Sequence, residues 1–337
     1  MAEYDNTAGQ EQIKDFIKKS ACRKKISHAY AFCGESGSGR YELAKLFATT
    51  LQCTKEYDMW DEATFDNPCG ECRSCLQMRN KNQPDVITVT HEKKQIGVDD
   101  IRNQVNNTVD IKPYAGPYKI YIIPDADKMT EQAQNALLKT IEEPPEYAII
   151  MLIVENINGL LPTILSRIVQ LNLRPLSEKV IVDYLMAQLK MPDYMAETSA
   201  AFAQGNIGKA IRYATDEDFL AVKDEVIKAL KNLENKRIFE LMDVVKKIKS
   251  EGYNVDDYLD IVLLWFRDIL LYKAVKDPSM LLFKDEAGSI DGQARIRSYE
   301  NIEKCINAID KAKQRLVANV NFEVTMELLF ITLKEIS

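Results

Sequence analysis

The chain has 337 residues, of which 46% are hydrophobic and 28% are charged, so it can form a sizeable core and is longer than one typical domain. Its 44 basic and 51 acidic residues give a net charge of −7, which argues against binding nucleic acid by bulk charge alone. The longest apolar run, Tyr147 to Val154, is too short to span a membrane, and the polar, acidic residues 1–12 are unlike a signal peptide.

Five short segments are predicted to be strands, because each is rich in β-branched or aromatic residues and is bounded by Pro, Gly, Asp or Asn. They are Ala29–Cys33, Val86–Val89, Lys119–Ile123, Ala148–Val154 and Ile168–Leu173. Helical patterns lie between them at Val98–Val109 and Thr130–Glu142. Apolar strands that alternate with helices predict an α/β domain with a parallel sheet covered on both faces.

After residue 175 the sequence pattern is helical and almost free of predicted strands. Ser177 is a predicted N-cap, and apolar residues recur every three or four positions through Asp218–Leu233 and Asp256–Val275. The same spacing continues near the end of the chain, where we predict one more core-facing stripe. Its members are Leu316, Val320, Val324, Leu328 and Ile331.

A glycine-rich turn follows the first predicted strand and precedes a helix. Gly34, Gly37 and Gly39 are spaced as in a phosphate-binding loop, where backbone N–H groups and a helix N-terminus cradle an anion. Arg40 and Tyr41 stand where an active loop has Lys and Ser or Thr. A guanidinium cannot replace a compact ammonium between two phosphates, and a phenol projects too far to be the short Mg²⁺ ligand. The turn is either a weak phosphate site or a turn without a ligand, and efficient ATP hydrolysis is not expected.

The acidic residues after the third predicted strand also depart from the pattern of active ATPases. In ATPases with such a loop, one acid at this strand end orients Mg²⁺ and a neighbouring one activates water. Here Asp125 and Asp127 are separated by Ala126. We interpret them as two solvated acids.

Four cysteines predict a metal site. Cys69, Cys72 and Cys75 form two overlapping C-x₂-C steps, and Cys53 supplies a fourth thiolate before a polar insertion. Four soft ligands with this spacing suit structural, tetrahedral Zn²⁺ with no open position. Chance packing of reduced thiols and a redox pair are the alternatives. The remaining cysteines lie within apolar patterns and are predicted to be in the core; they are Cys22, Cys33 and Cys305.

These features occur in the order found in one protein family. They are His28-Ala29-Tyr30, the altered loop, the four cysteines, Pro84-Asp85, the run from Asn135 to Pro145 (NALLKTIEEPP), and Ser166-Arg167. The chain resembles bacterial clamp-loader subunits of the AAA+ class, densely over residues 9–175 and by helical layout over 176–337. The resemblance implies a RecA-like AAA+ domain over 1–175 with a zinc module at 53–85, a helical lid over 176–216 and a C-terminal helical collar domain over 217–337.

The resemblance also assigns roles to individual residues. Ser166-Arg167 matches the start of the family's Ser-Arg-Cys motif, whose arginine reaches in trans into a neighbour's ATP site as a finger. A surface arginine in a salt bridge is the alternative. Gly208 stands where an active member has a sensor arginine in the lid, so either the sensor is lost or the segment is an ordinary helix start.

Because Arg40, Tyr41 and Gly208 depart from the pattern of active members, the resemblance implies a subunit without ATPase activity of its own. Such a subunit would be a stator in a cytoplasmic, hetero-oligomeric ring. The implied partners are the gamma/tau ATPase subunits, the delta subunit, a sliding clamp and primer–template DNA, without a membrane. Two other functions stay open: an active clamp-loader ATPase, and a stand-alone zinc protein that binds nucleic acid. Three polar residues opposite the apolar face of the NALLKTIEEPP helix are candidate contacts to DNA or a partner; they are Gln134, Asn135 and Lys139.

Overall fold

The computed structural model describes residues 8–55, 68–216, 218–231 and 233–336. The chain forms two compact units, Met1–Ile211 and Arg212–Ser337. The first unit contains a parallel sheet with helices, and the second is helical throughout its described residues. No helix in the described ranges combines the length and the apolar character needed to cross a membrane.

The five predicted strands are all present and form one parallel sheet in the order β2-β3-β4-β1-β5. Their bounds are β1 Ala29–Cys33, β2 Val86–Thr88, β3 Lys119–Ile123, β4 Ala148–Val154 and β5 Val169–Asn172. Three strands match the predicted bounds, and β2 and β5 are shorter by one or two residues. The predicted α/β class is therefore confirmed.

Helices cover the sheet and continue beyond it. They are α1 Glu11–Cys22, α2 Arg40–Gln52, α3 Arg73–Arg79, α4 Val98–Ile101, α5 Asn107–Val109, α6 Glu131–Glu142, α7 Pro162–Leu165, α8 Glu178–Leu189, α9 Asp193–Ala203 and α10 Ile207–Thr215. A π-helical turn, Arg102–Asn106, joins α4 to α5. Thr130 caps α6 by accepting a hydrogen bond from the backbone of Ala133, as its residue type favours. Ser177 occupies the predicted N-cap of α8, although its hydroxyl makes no capping bond.

The sheet is buried on both faces because successive side chains of a strand point in opposite directions. In β1, Ala29, Ala31 and Cys33 belong to the apolar cluster that includes residues of α4 and α6. Tyr30 and Phe32 belong to the cluster on the other face, which includes residues of α1 and α2. Strands buried on both faces have no polar side, which explains their continuous apolar sequence.

Within its described residues, the second unit contains six further α-helices around buried aromatic residues, beside the end of α10 and three short 3-10 helices. The six α-helices are α11 Phe219–Leu230, α12 Ile238–Ser250, α13 Val255–Val275, α14 Ala287–Ile296, α15 Tyr299–Val317 and α16 Phe322–Glu335. Tyr258, Trp265 and Phe266 of α13 are fully buried. The two long helical patterns predicted here correspond to α11 and α13.

The predicted core-facing stripe at the end of the chain is wrong. Asn321 caps a new helix by accepting a hydrogen bond from the backbone of Val324, so the stripe crosses a break between α15 and α16. Val324 and Leu328 are 60% and 44% exposed. The core side of α16 is formed by other residues, namely Thr325, Met326, Leu329, Phe330 and Leu333.

Candidate functional site

The glycine-rich loop joins the end of β1 to the start of α2. Gly37 and Gly39 have φ of +81° and +92°, a left-handed region that favours glycine, and Gly39 is the residue before α2. Gly34 donates from its backbone N–H to the Val154 carbonyl at the end of β4. The loop therefore lies at the carboxyl ends of two adjacent strands, where parallel sheets usually bind their ligands.

Residues at the start of α10 lie directly against this loop. The Asn206 side chain donates to the Ser36 carbonyl over 2.8 Å, and the Gly208 backbone N–H donates to the Gly37 carbonyl over 2.8 Å. Asn206 is buried, with 4% of its surface exposed. A Cβ atom at position 208 would lie 2.7 Å from the Gly37 carbonyl oxygen and 2.8 Å from its Cα. A sensor arginine at position 208 would therefore require the loop to move.

Arg40 and Tyr41, which replace the Lys-Ser/Thr pair, are not placed as that pair is in an active phosphate loop. Arg40 is buried, with 8% exposed. The Tyr41 hydroxyl lies 3.3 Å from the Thr88 hydroxyl at the end of β2. The loop thus has two glycines with left-handed φ before α2, but it lacks the short hydroxyl that would bind Mg²⁺.

The two acids beyond β3 have partners, so the prediction of two simply solvated acids is incomplete. The Asp127 carboxylate accepts hydrogen bonds from the backbones of Glu155 and Asn156, over 3.3 and 3.4 Å. Asp125 forms an ion pair with Lys128 at 3.3 Å. Asp127 therefore fixes the loop that follows β4.

Arg167 lies just after α7, with 41% of its side chain exposed. Its Nη2 atom is 3.0 Å from Glu142 Oε1 at the end of α6. Its Nη1 atom donates to the Thr163 carbonyl over 3.0 Å and to the Ser166 hydroxyl over 2.9 Å. The predicted pair Ser166-Arg167 is therefore in contact, and the guanidinium is held at the surface by its own chain.

Gln134 links α6 by hydrogen bonds to the segment before α7, and its predicted position at the surface is wrong. It is buried, its amide nitrogen donates to the Met129 and Gly159 carbonyls, and its oxygen accepts from the Leu161 backbone over 2.8 Å. Gln134 precedes Leu137 by three and Ile141 by seven residues, a spacing that places it on the apolar face. The other two predicted contact residues, Asn135 and Lys139, are both exposed.

Asp85 also links two segments of the chain by hydrogen bonds. The sequence analysis assigned this residue no role. Its carboxylate is buried and accepts hydrogen bonds from the backbones of Tyr114, Ala115 and Gly116, over 2.6, 2.6 and 2.8 Å. These bonds fix the loop before β3. A Pro-Asp pair immediately before a predicted strand is the only signal that the sequence carries.

The four predicted metal ligands lie together. The sulfur atoms of Cys53, Cys69, Cys72 and Cys75 are all within 4.8 Å of one another. Backbone N–H groups of three of these residues donate to the sulfur of the preceding cysteine, over 3.3 to 3.5 Å. A hydrogen bond from Cys75 lowers the pKa of Cys53 to about 5. The donor set fits a metal ion that prefers thiolates.

The segment between Cys53 and Cys69 is described only in part, because residues 56–67 lie outside the described ranges. Gly70 has a φ of +74°, and its carbonyl accepts a hydrogen bond from Arg79 at the end of α3. The turn between the paired cysteines is thereby tied to α3. The three cysteines predicted to be in the core are buried: Cys22, Cys33 and Cys305.

Comparison with known proteins assigns the chain to a family. A sequence profile described as "DNA polymerase III, delta subunit" matches residues 9–177, and a second profile, for the C-terminal region of the same subunit, matches residues 217–335. The DNA polymerase III subunit delta' of Bacillus subtilis (strain 168) is 30% identical over 332 residues, which cover 97% of this chain and 96% of that protein. The chain belongs to the DNA polymerase III delta-prime family.

DNA polymerase III proteins of the tau and gamma type are also similar to this delta-prime family member. The tau subunit of Bacillus subtilis is 30% identical over 291 residues, which cover 80% of this chain but only 50% of tau. The crystal structure of a DNA polymerase III gamma subunit-related protein from Thermotoga maritima shares the fold, with a TM-score of 0.50 and 21% identity over 96% of this chain and 99% of that one.

Proposed function

We propose that this chain is a stator of the bacterial DNA polymerase III clamp loader, which hydrolyses no ATP itself and lends Arg167 to a neighbouring ATPase subunit while the sliding clamp is loaded. The observation that carries this proposal is the contact of Asn206 and Gly208 with the phosphate loop. The loop is engaged by its own chain at the place where an active subunit binds nucleotide.

The proposed absence of hydrolysis is supported by the chemistry of the altered site. Hydrolysis by such a loop needs a lysine at the phosphates, a short hydroxyl and an acid on Mg²⁺, and a group that orients water. Arg40 is buried, Tyr41 approaches Thr88, and Asp127 binds the backbone after β4. Tyr41 in particular offers no short hydroxyl that could bind Mg²⁺.

The role of Arg167 is supported by its position and its chemistry. A guanidinium that enters from a neighbouring subunit stabilises the charge that develops on the γ-phosphate oxygens, and its loss costs a factor of about 10³ or more in turnover. Arg167 is partly exposed and held by Glu142, Thr163 and Ser166. The relatives named above include delta' and tau subunits of DNA polymerase III.

We extend the proposal to the whole chain. Its partners are gamma/tau ATPase subunits, a delta subunit, the sliding clamp and primer–template DNA, in a cytoplasmic hetero-oligomeric ring. Residues 1–175 form the AAA+ domain, 176–216 the lid and 217–337 the collar that contacts neighbours. Cys53, Cys69, Cys72 and Cys75 would hold a structural Zn²⁺, which closes the polar insertion between them.

The test is a reconstituted ring with the ATPase subunits, the delta subunit, the clamp and primed DNA. Arg167→Ala should reduce stimulated ATP turnover by orders of magnitude, on the order of 10³-fold, while the purified variant keeps the wild-type melting temperature. Arg174→Ala, at another exposed arginine of the same unit, is the matched control and should retain wild-type turnover. Brisk hydrolysis by the purified wild-type chain alone, or an unchanged rate with Arg167→Ala, would contradict the proposal.

A further inference from the structure

The guanidinium of Arg167 is fixed by a carboxylate from another helix. We propose that Glu142, at the C-terminal end of α6, is a positioning residue that presents Arg167 to the neighbouring ATP site; this inference rests on the proposed finger role of Arg167. The carrying observation is the 3.0 Å ion pair between Arg167 Nη2 and Glu142 Oε1.

The geometry leaves part of the guanidinium to face outward. An arginine has five N–H donors in a rigid plane. Thr163 and Ser166 both accept hydrogen bonds from Nη1, and Nη2 lies 3.0 Å from the Glu142 carboxylate in an ion pair. Nε forms no hydrogen bond with the part of the chain that the structure describes, so it is available to an oxyanion from outside the chain. The guanidinium is thus oriented before a partner arrives.

Both ends of α6 are tied to the segment that carries Arg167. At the N-terminal end, buried Gln134 bonds the backbones of Gly159 and Leu161, immediately before α7. At the C-terminal end, Glu142 forms the ion pair with Arg167 itself, immediately after α7. The helix therefore holds the backbone that carries the arginine as well as its side chain.

The ion pair contributes more to geometry than to folding stability. The Arg167 and Glu142 side chains are 41% and 46% exposed, and ion pairs with this exposure contribute little to the free energy of folding. Orienting the arginine in advance, however, removes the loss of side-chain freedom that would otherwise oppose its action on the transition state. Glu142 should therefore affect turnover without affecting the melting temperature.

The neighbouring residue provides a matched control. Glu143 has the same charge and is exposed, and it forms no ion pair within the part of the chain that the structure describes. Replacing Glu142 and Glu143 changes the net charge of the chain equally. A difference between the two variants therefore reports the contact with Arg167 and not the loss of a negative charge.

The experiment measures ATP turnover of the reconstituted, DNA-stimulated ring as a function of ATP concentration. Glu142→Ala should lower kcat about tenfold with KM unchanged, because an interaction made in the transition state is weakened. Glu142→Gln should lie between Glu142→Ala and wild type, because its amide oxygen still accepts a hydrogen bond. Glu143→Ala should behave as wild type. Combining Glu142→Ala with Arg167→Ala should give the rate of Arg167→Ala alone, because Glu142 acts through that arginine.

The outcomes separate this inference from the proposed function. An Arg167→Ala ring with wild-type turnover would reject the finger role and the positioning role together. If Arg167→Ala is slow but Glu142→Ala matches or exceeds wild type, the positioning role is overturned and the finger role stands. A further loss when Glu142→Ala is added to Arg167→Ala would likewise overturn it, because the glutamate would then act independently of the arginine. Equal melting temperatures exclude unfolding as the cause of any loss.

Discussion

At the scale of single residues, Gly208 carries structural information that the sequence could not provide. Its position suggested either a lost sensor or an ordinary helix start, and both interpretations fitted the sequence. In the structure Gly208 packs against Gly37, which is far away in the sequence. The backbone N–H of Gly208 donates a hydrogen bond to the Gly37 carbonyl. The requirement for glycine comes from the close approach of two backbones. A pattern read along one segment contains no signal for such a contact.

Gly208→Ala should destabilise the first unit. The added Cβ would lie 2.7 and 2.8 Å from two backbone atoms of Gly37, which cannot move aside as a flexible side chain can. The expected cost is about 1–3 kcal/mol of unfolding free energy, as for overpacking elsewhere. Differential scanning calorimetry or urea unfolding of the purified chain would measure it.

Gly292→Ala is the matched control for this substitution. Gly292 lies within α14, where nothing stands within 4 Å of an added Cβ, so alanine should stabilise the second unit by about 0.5–1 kcal/mol. A Gly208→Ala variant that is as stable as wild type would show that position 208 does not lie against the loop.

At the scale of elements, the strands and the long helices could be predicted from the sequence. For some helices, the side that faces the core could not. β1 and β4 are recognisable because burial on both sides leaves no polar position in them. In α16, apolar residues occupy more than one face, so spacing alone allowed a wrong choice of core side. The cap at Asn321 restarts the helix and sets its rotation. In α6, Gln134 shares the apolar face because its three polar bonds are satisfied there.

Two adjacent leucines test the orientation of α16. Leu329 is 3% exposed and Leu328 is 44% exposed. Leu329→Ala should lower the free energy of unfolding by about 2–5 kcal/mol, because it leaves a cavity in the core. Leu328→Ala should cost less than about 1 kcal/mol, because much of that side chain already meets solvent. Urea unfolding of both variants provides the measurement, and equal losses would contradict this orientation.

At the scale of the whole molecule, local patterns predicted the content of each unit better than its connections. The alternation of strands and helices indicates a parallel sheet, but the order β2-β3-β4-β1-β5 depends on which strands pair, and no single strand encodes its neighbours. The cysteine cluster is the opposite case. Few arrangements other than a metal site account for cysteines at this spacing. The prediction that Cys53 lies beside the three cysteines beyond the long insertion is therefore correct.

If Cys53, Cys69, Cys72 and Cys75 hold a metal as proposed, its removal should affect this cysteine module (the four cysteines and α3) more than the sheet. Its helix α3 carries Met78, which is buried in the apolar cluster shared with α1 and α2, whereas no cysteine of the module belongs to that cluster. Cys72→Ser should therefore lose the bound metal and become sensitive to protease in the turn between Cys69 and Cys75, while most far-ultraviolet circular dichroism is retained. Elemental analysis should find about one zinc per wild-type chain and almost none in the variant. Cys305→Ala, buried in the other unit, should keep the metal even if it is less stable. Freshly purified wild-type protein with far less than one zinc per chain would contradict the site, as would a Cys72→Ser variant with full metal content.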